Sequence, residues 1–233
     1  MRDYFAESNL PRAAALAAIL TLMSVGRLVE GGKPLALFIP TTFAAMVFVS
    51  AAVTAWGRRA GMAGIATARR TFLRGATVAV ALSLIALPIY AFWLDPVLRR
   101  GVLGATRSGM PELTYPSSLS GCISLLLWSA GFQVMFLQAA PMALFARLTG
   151  RASVSVVLCM AFRTYVTYRQ VADAGMTEGL LPLAIAAVLT TGFGYIVFAR
   201  FGLAPSMLLA AGLDLHVFLP AVAFVQPLTP GHG

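Results

Sequence analysis

A carboxamide, a guanidinium and a carboxylate stand in this sequence where apolar residues would be expected. Gln133 lies 14 residues before Arg147, Arg163 lies 12 after Arg151, and Asp214 lies 14 after Arg200. At about 1.5 Å per helical residue, the three sit about 18 to 21 Å from the basic residues that bound their segments. Each is costly to bury alone in an apolar medium, so the matched heights predict one buried polar cluster of Gln133, Arg163 and Asp214. Arg163 and Asp214 would neutralise one another, with Gln133 taking the leftover donors. The alternative is that Arg163 reaches toward the boundary among Tyr165, Tyr168 and Arg169 while Asp214 is protonated in place. Such a cluster could fix helix packing without performing any reaction.

Other reactive types offer less. His216 is two residues from Asp214, so on a helix the two point to different faces. Cys122 and Cys159 both lie in apolar stretches, and neither a disulfide framework nor a cysteine-rich metal site follows. Ser153, Ser155, Thr164 and Thr167 have no His–acid partner set, so a serine hydrolase is unsupported. No Gly-rich phosphate loop is present. Phe132, Phe136, Phe145, Phe162, Tyr165 and Tyr168 could line a lipid groove, or simply pack between helices. The sequence therefore nominates no catalytic residue, no metal ligand and no cofactor.

The elements that must position these side chains follow from composition. Of 233 residues, 59% are hydrophobic and 11% charged, with a mean hydropathy of +0.85. A soluble domain carries about 25% charged residues, so the chain reads as an all-α polytopic transmembrane bundle. The net charge of +9 points to loops facing anionic lipid heads, with no nucleic-acid partner. Stretches free of Asp, Glu, Lys and Arg predict seven spans, near 12–30, 35–56, 75–94, 118–146, 152–170, 180–199 and 202–224. Pro141 is placed to kink or interrupt the fourth. The linker 57–74 holds Arg58, Arg59, Arg69, Arg70 and Arg74 without an acid, which assigns it to the cytoplasmic side as a topology determinant. Alternation then puts the N-terminus inside and the C-terminus and the 95–117 linker outside. The N-terminal segment is expected to stay attached, since no small-x-small cleavage site follows its apolar run. The chain is expected to form one membrane domain. Residues 1–117 supply three spans and the external linker, 118–224 a four-span core, and 225–233 a tail.

From about 120 to 224 the chain resembles the CPBP family, the CAAX-protease and bacteriocin-processing intramembrane metalloproteases. GFGYIVFARFGLAPSMLLAAGLDLHVFL is similar to that family's Gly-rich span, short basic turn and last core helix. RLTGRASVSVVLCMAFRTYV resembles the link and helix leading into its FxxxH motif. The resemblance implies three motifs: EExxxR for the base, and FxxxH and HxxxN/D for the metal. Aligned on Phe162, the Glu pair falls on Phe132 and Gln133, and the motif arginine on Leu137. FxxxH becomes Phe162 to Val166, and HxxxD becomes Ala210 to Asp214. A second register puts the arginine at Arg147, with Met142 and Ala143 in place of the glutamates. Either way the metal site the family would need loses its glutamates and histidines.

The expected role is accordingly non-catalytic: a pseudo-protease-like scaffold or accessory subunit that packs against another integral membrane protein or binds membrane lipids. An atypical intramembrane peptidase or lipid-modifying enzyme is the first alternative, and a transporter component the second. The expected location is the bacterial cytoplasmic membrane.

Overall fold

The computed structural model describes residues 10–63, 65, 68–94, 116, 118–173, 185 and 191–218. Among these residues every regular element is helical, as an apolar surrounding demands when backbone donors and acceptors must be satisfied within each segment. Helix α1 is Leu10–Glu30 and α2 is Leu35–Arg59. Helix α3, Arg69–Ile89, runs on through a wider π-type turn, Tyr90–Leu94. The next rod is composite: α4 is Leu119–Trp128, a π-type stretch follows over Ser129–Ala139, and α5 is Ala140–Thr149. Helix α6 is Ala152–Asp173, α7 is Phe193–Phe201 and α8 is Leu203–Asp214, which ends in a 3-10 turn, Leu215–Phe218.

Four stretches are long and apolar enough to cross a membrane: Leu10–Glu30, Leu35–Arg58, Arg69–Leu94 and Leu119–Thr149. They coincide with the first four expected spans and fit an integral membrane protein. Their outward faces are apolar, with Leu22, Leu84, Ile85 and Phe92 all well exposed, a surface suited to lipid rather than water. Ala152–Val166 and Leu203–Asp214 are shorter apolar helices standing where the fifth and seventh spans are expected. Half of the sixth expected span, the 95–117 linker apart from residue 116, and the 225–233 tail lie outside the described residues.

Two boundaries differ from the sequence reading. The third helix begins at Arg69 rather than at 75, and Arg58 and Arg59 close α2. The arginine-rich segment is thus largely two helix ends, because arginine is a good helix former and nothing stops a helix at the hydrocarbon boundary. Nor does Pro141 interrupt its rod, for reasons that bear on the site.

Arg58, Arg147 and Arg200 gather at one end of the bundle. The Arg147 guanidinium lies over the Trp56 ring, 5.1 Å from its centroid, which joins the C-terminal ends of α5 and α2. The Ala63 backbone N–H, in the link after α2, donates to the Ala199 carbonyl beside Arg200 at 3.1 Å. Gly202, at φ +93°, makes the single-residue turn that folds α8 back on α7, a conformation a side chain would oppose. Ser206 Oγ then donates to the Gly194 carbonyl at 3.4 Å. Helix α8 packs along α3 through small residues. A Cβ at Gly75 would meet Phe201 and Pro205, and one at Gly212 would overlap the Ser83 side chain. Close backbone approach of this kind is what drives helix association in lipid. Three buried hydroxyls are satisfied locally: Ser24, Ser83 and Ser155 each donate to the carbonyl four residues earlier at 2.8 Å, whereas those of Thr21, Ser50 and Ser124 are buried with no hydrogen-bond partner.

Candidate functional site

The composite rod carries the site. Pro141 has no N–H to offer the Leu137 carbonyl one turn earlier, and its ring would crowd that turn of an ordinary α-helix. Here the backbone widens into the π-type stretch Ser129–Ala139 just before the proline, and the rod continues. The Leu137 carbonyl is satisfied from outside the helix: the Tyr195 hydroxyl of α7 donates to it at 2.8 Å. Tyr195 is fully buried, with the Cys159 thiol of α6 beside its hydroxyl.

Widening changes which residues share a face. In an α-helix, residues five apart point about 140° away from each other. With i→i+5 hydrogen bonding, residues four and five apart come onto one side. Ser129, Gln133 and Gln138 therefore face the same way, into a pocket of about 130 Å³ also lined by Arg163, Thr191 and Asp214. That volume holds several waters. Leu137 of the rod and Leu209, Ala210 and Leu213 of α8 complete the described lining.

The three residues expected at one depth are thus brought to one pocket, each of them partly rather than fully buried. The expected direct contact is different. An ion pair among the described residues is Arg27–Glu30, at 2.8 Å at the end of α1, whereas Arg163 and Asp214 share the pocket without a salt bridge to one another. Ser129, Gln138 and Thr191 were not expected. Ser129 and Thr191 are buried, and the Gln138 amide is pressed against Gly194, where any Cβ would lie within 3 Å of it. The Gln138 Oε1 is buried with no hydrogen-bond partner.

No family model, curated protein or solved structure matches the chain. The remaining positions drawn from the sequence are placed as follows. Ala210 lines the pocket together with Gln133 and Asp214. Phe132 instead stacks between Trp128 and Phe136, at 3.9 and 4.5 Å between ring centroids. Phe162, Tyr165 and Tyr168 are exposed on α6, and Val166 is half-buried there. The aromatic set therefore forms no single groove: part of it stacks within the rod, and part faces outward. His216 is buried against Tyr90, at 4.8 Å between rings, with its Nδ1 on the Leu213 carbonyl. Among the described residues, no group of three or more His, Cys, Asp or Glu side chains converges.

Proposed function

We propose that this chain is a non-catalytic polytopic protein of the bacterial cytoplasmic membrane, N-terminus inside, that works by binding: a pseudo-protease-like scaffold or accessory subunit. The observation that carries this reading is the convergence of Gln133, Ala210 and Asp214 on one pocket. Under the CPBP resemblance these are positions of the Glu pair and of the HxxxD motif. An amide and a methyl replace a base and a metal ligand, and the Arg163 guanidinium stands in the same pocket, where it would repel a divalent cation. An amide, a guanidinium and a carboxylate recognise polar groups well but supply no activated nucleophile.

The test is elemental analysis of the full chain purified in mild detergent. The expected result is far less than one zinc per chain, with no proteolysis of membrane-embedded substrates that Asp214→Ala abolishes. A content near one zinc per chain, or Asp214-dependent proteolysis, would overturn the reading in favour of an atypical peptidase. A transporter component is the second reading, favoured by two ionisable side chains, Arg163 and Asp214, lining a pocket beside a widened helix. Substrate flux in sealed vesicles separates it from a binding role.

A further inference from the structure

The pole where α2, α5 and α7 end carries cations and, among the described residues, no carboxylate. A Cβ at Gly75 would meet the Phe201 side chain. The first turns of α3, with Arg69, Arg70 and Arg74, therefore lie against the end of α7 that carries Arg200. Arg147 is in the last turn of α5, and Arg151 precedes α6 just after the Gly150 turn. These six arginines are all exposed. The described acids stand at the far ends of their helices: Glu30 closes α1 and pairs with Arg27, Asp173 closes α6 and Asp214 closes α8. Like charges crowded on one face repel one another. Arg69 and Arg70 also stand at the positive end of the α3 dipole, in a first turn with no acid and no side-chain cap. Negative charge from outside the chain relieves both effects.

The surroundings of the arginines select the source of that charge. Leu73, beside Arg74, is 52% exposed, and Leu148, beside Arg147, is 70% exposed. The Arg147 guanidinium lies over Trp56, an amphipathic ring of the kind that sits at headgroup level. A soluble acidic protein would answer the arginines and leave these leucines in water. A phospholipid offers a phosphate to the guanidinium fork and an acyl chain to the leucine beside it.

We propose that this pole binds anionic phospholipid of the phosphatidylglycerol type, with phosphates on the arginines of α3, α5 and α7 and acyl chains along Leu73 and Leu148. A topology determinant acts while the chain inserts; this surface holds lipid at equilibrium in the folded protein. The proposal needs the helices to cross a membrane, and it stands apart from the pocket, the scaffold role and the sidedness of the pole.

The experiment uses the full chain in nanodiscs of equimolar phosphatidylglycerol, phosphatidylethanolamine and phosphatidylcholine. After release into mild detergent, retained lipid is read by native mass spectrometry. Phosphatidylglycerol should exceed either zwitterionic lipid by about fivefold, the factor one arginine near an anionic surface contributes. A wash in about 1 M salt shortens the screening length to about 3 Å and should remove most of the enrichment. Arg70→Gln combined with Arg74→Gln, and Arg147→Gln alone, should each lower it. Arg27→Gln, at the other end of the bundle, should leave it unchanged. Where a pole variant fails to fold, the lipid and salt comparisons on the unaltered chain decide. Equal retention of the three lipids overturns the inference, as does enrichment that survives both the salt wash and the pole substitutions. Equal retention together with saturable binding of polyglutamate would also overturn it and give the pole to an acidic soluble partner. The zinc and proteolysis measurements do not depend on any of these outcomes, so the binding role proposed above stands or fails separately.

Discussion

Tyr195 does for the composite rod what the missing proline N–H cannot. Its hydroxyl reaches the Leu137 carbonyl at 2.8 Å from a fully buried position on α7. Pro141 leaves that carbonyl without its α-helical N–H donor. Tyr195→Phe should therefore destabilise the protein by about 1–2 kcal/mol, the upper part of the range for hydrogen bonds between membrane helices. The loss is read from thermal or steric-trapping unfolding in detergent. In a Pro141→Ala background the backbone regains a donor one turn from Leu137, and the same substitution should cost less. Equal losses in the two backgrounds would mean that Tyr195 acts through packing alone. This contact was not legible in the sequence: Pro141 announces an unmet carbonyl, but nothing in the spacing says that a tyrosine 58 residues away meets it.

The helix is the scale at which the sequence is most and least informative. Counting residues from Arg147, Arg151 and Arg200 finds Gln133, Arg163 and Asp214, because rise per residue is nearly constant in any α-helix crossing one slab. The same counting misses Gln138, because rotation per residue is not constant once the backbone widens over Ser129–Ala139. Helix ends were misjudged in the opposite sense, since charge marks the edge of the hydrocarbon and not the end of the helix, as Arg69 and Arg70 on the first turn of α3 show. Contacts between helices follow small residues instead. At Gly212 an added Cβ would overlap Ser83 across the α3–α8 seam. Gly212→Ala should destabilise by about 1–3 kcal/mol, as overpacking of a tight core does. Pairing it with Ser83→Gly, which removes the facing atoms, should recover part of the loss despite the helix cost of a glycine. A double variant no better than Gly212→Ala would place the constraint elsewhere.

For the molecule as a whole, the ordering of charge along the bundle axis is what the proposed orientation rests on. The C-terminal ends of α2 and α5, the link after α2 and the end of α7 meet at one pole, through Trp56 with Arg147 and through Ala63 with Ala199. That pole carries Arg58, Arg147, Arg151 and Arg200. The turn between α1 and α2, with Lys33, lies at the other end of α2. An excess of arginine near span ends holds that end on the cytoplasmic side, and here the bias is independent of how many spans follow α5. Lys33, Ala68 and Ser153 are exposed positions near the two poles. In a background with Cys122 and Cys159 replaced by alanine, single cysteines at these sites should divide cleanly. Ala68→Cys and Ser153→Cys should react with a membrane-impermeant maleimide only after the cells are opened, and Lys33→Cys in intact cells. A further cysteine at Gly231 tests the odd span count, which places it with Lys33. Labelling of Gly231→Cys from the side of Ala68 would remove one span, while Lys33 and Ala68 reacting from the same side would overturn the assignment of α2 as a crossing helix. The pocket's depth gives the orientation its consequence. With the basic pole inward, Gln133, Arg163 and Asp214 lie about 18 to 21 Å from the cytoplasmic boundary, well past the cytoplasmic headgroup layer and toward the outer leaflet.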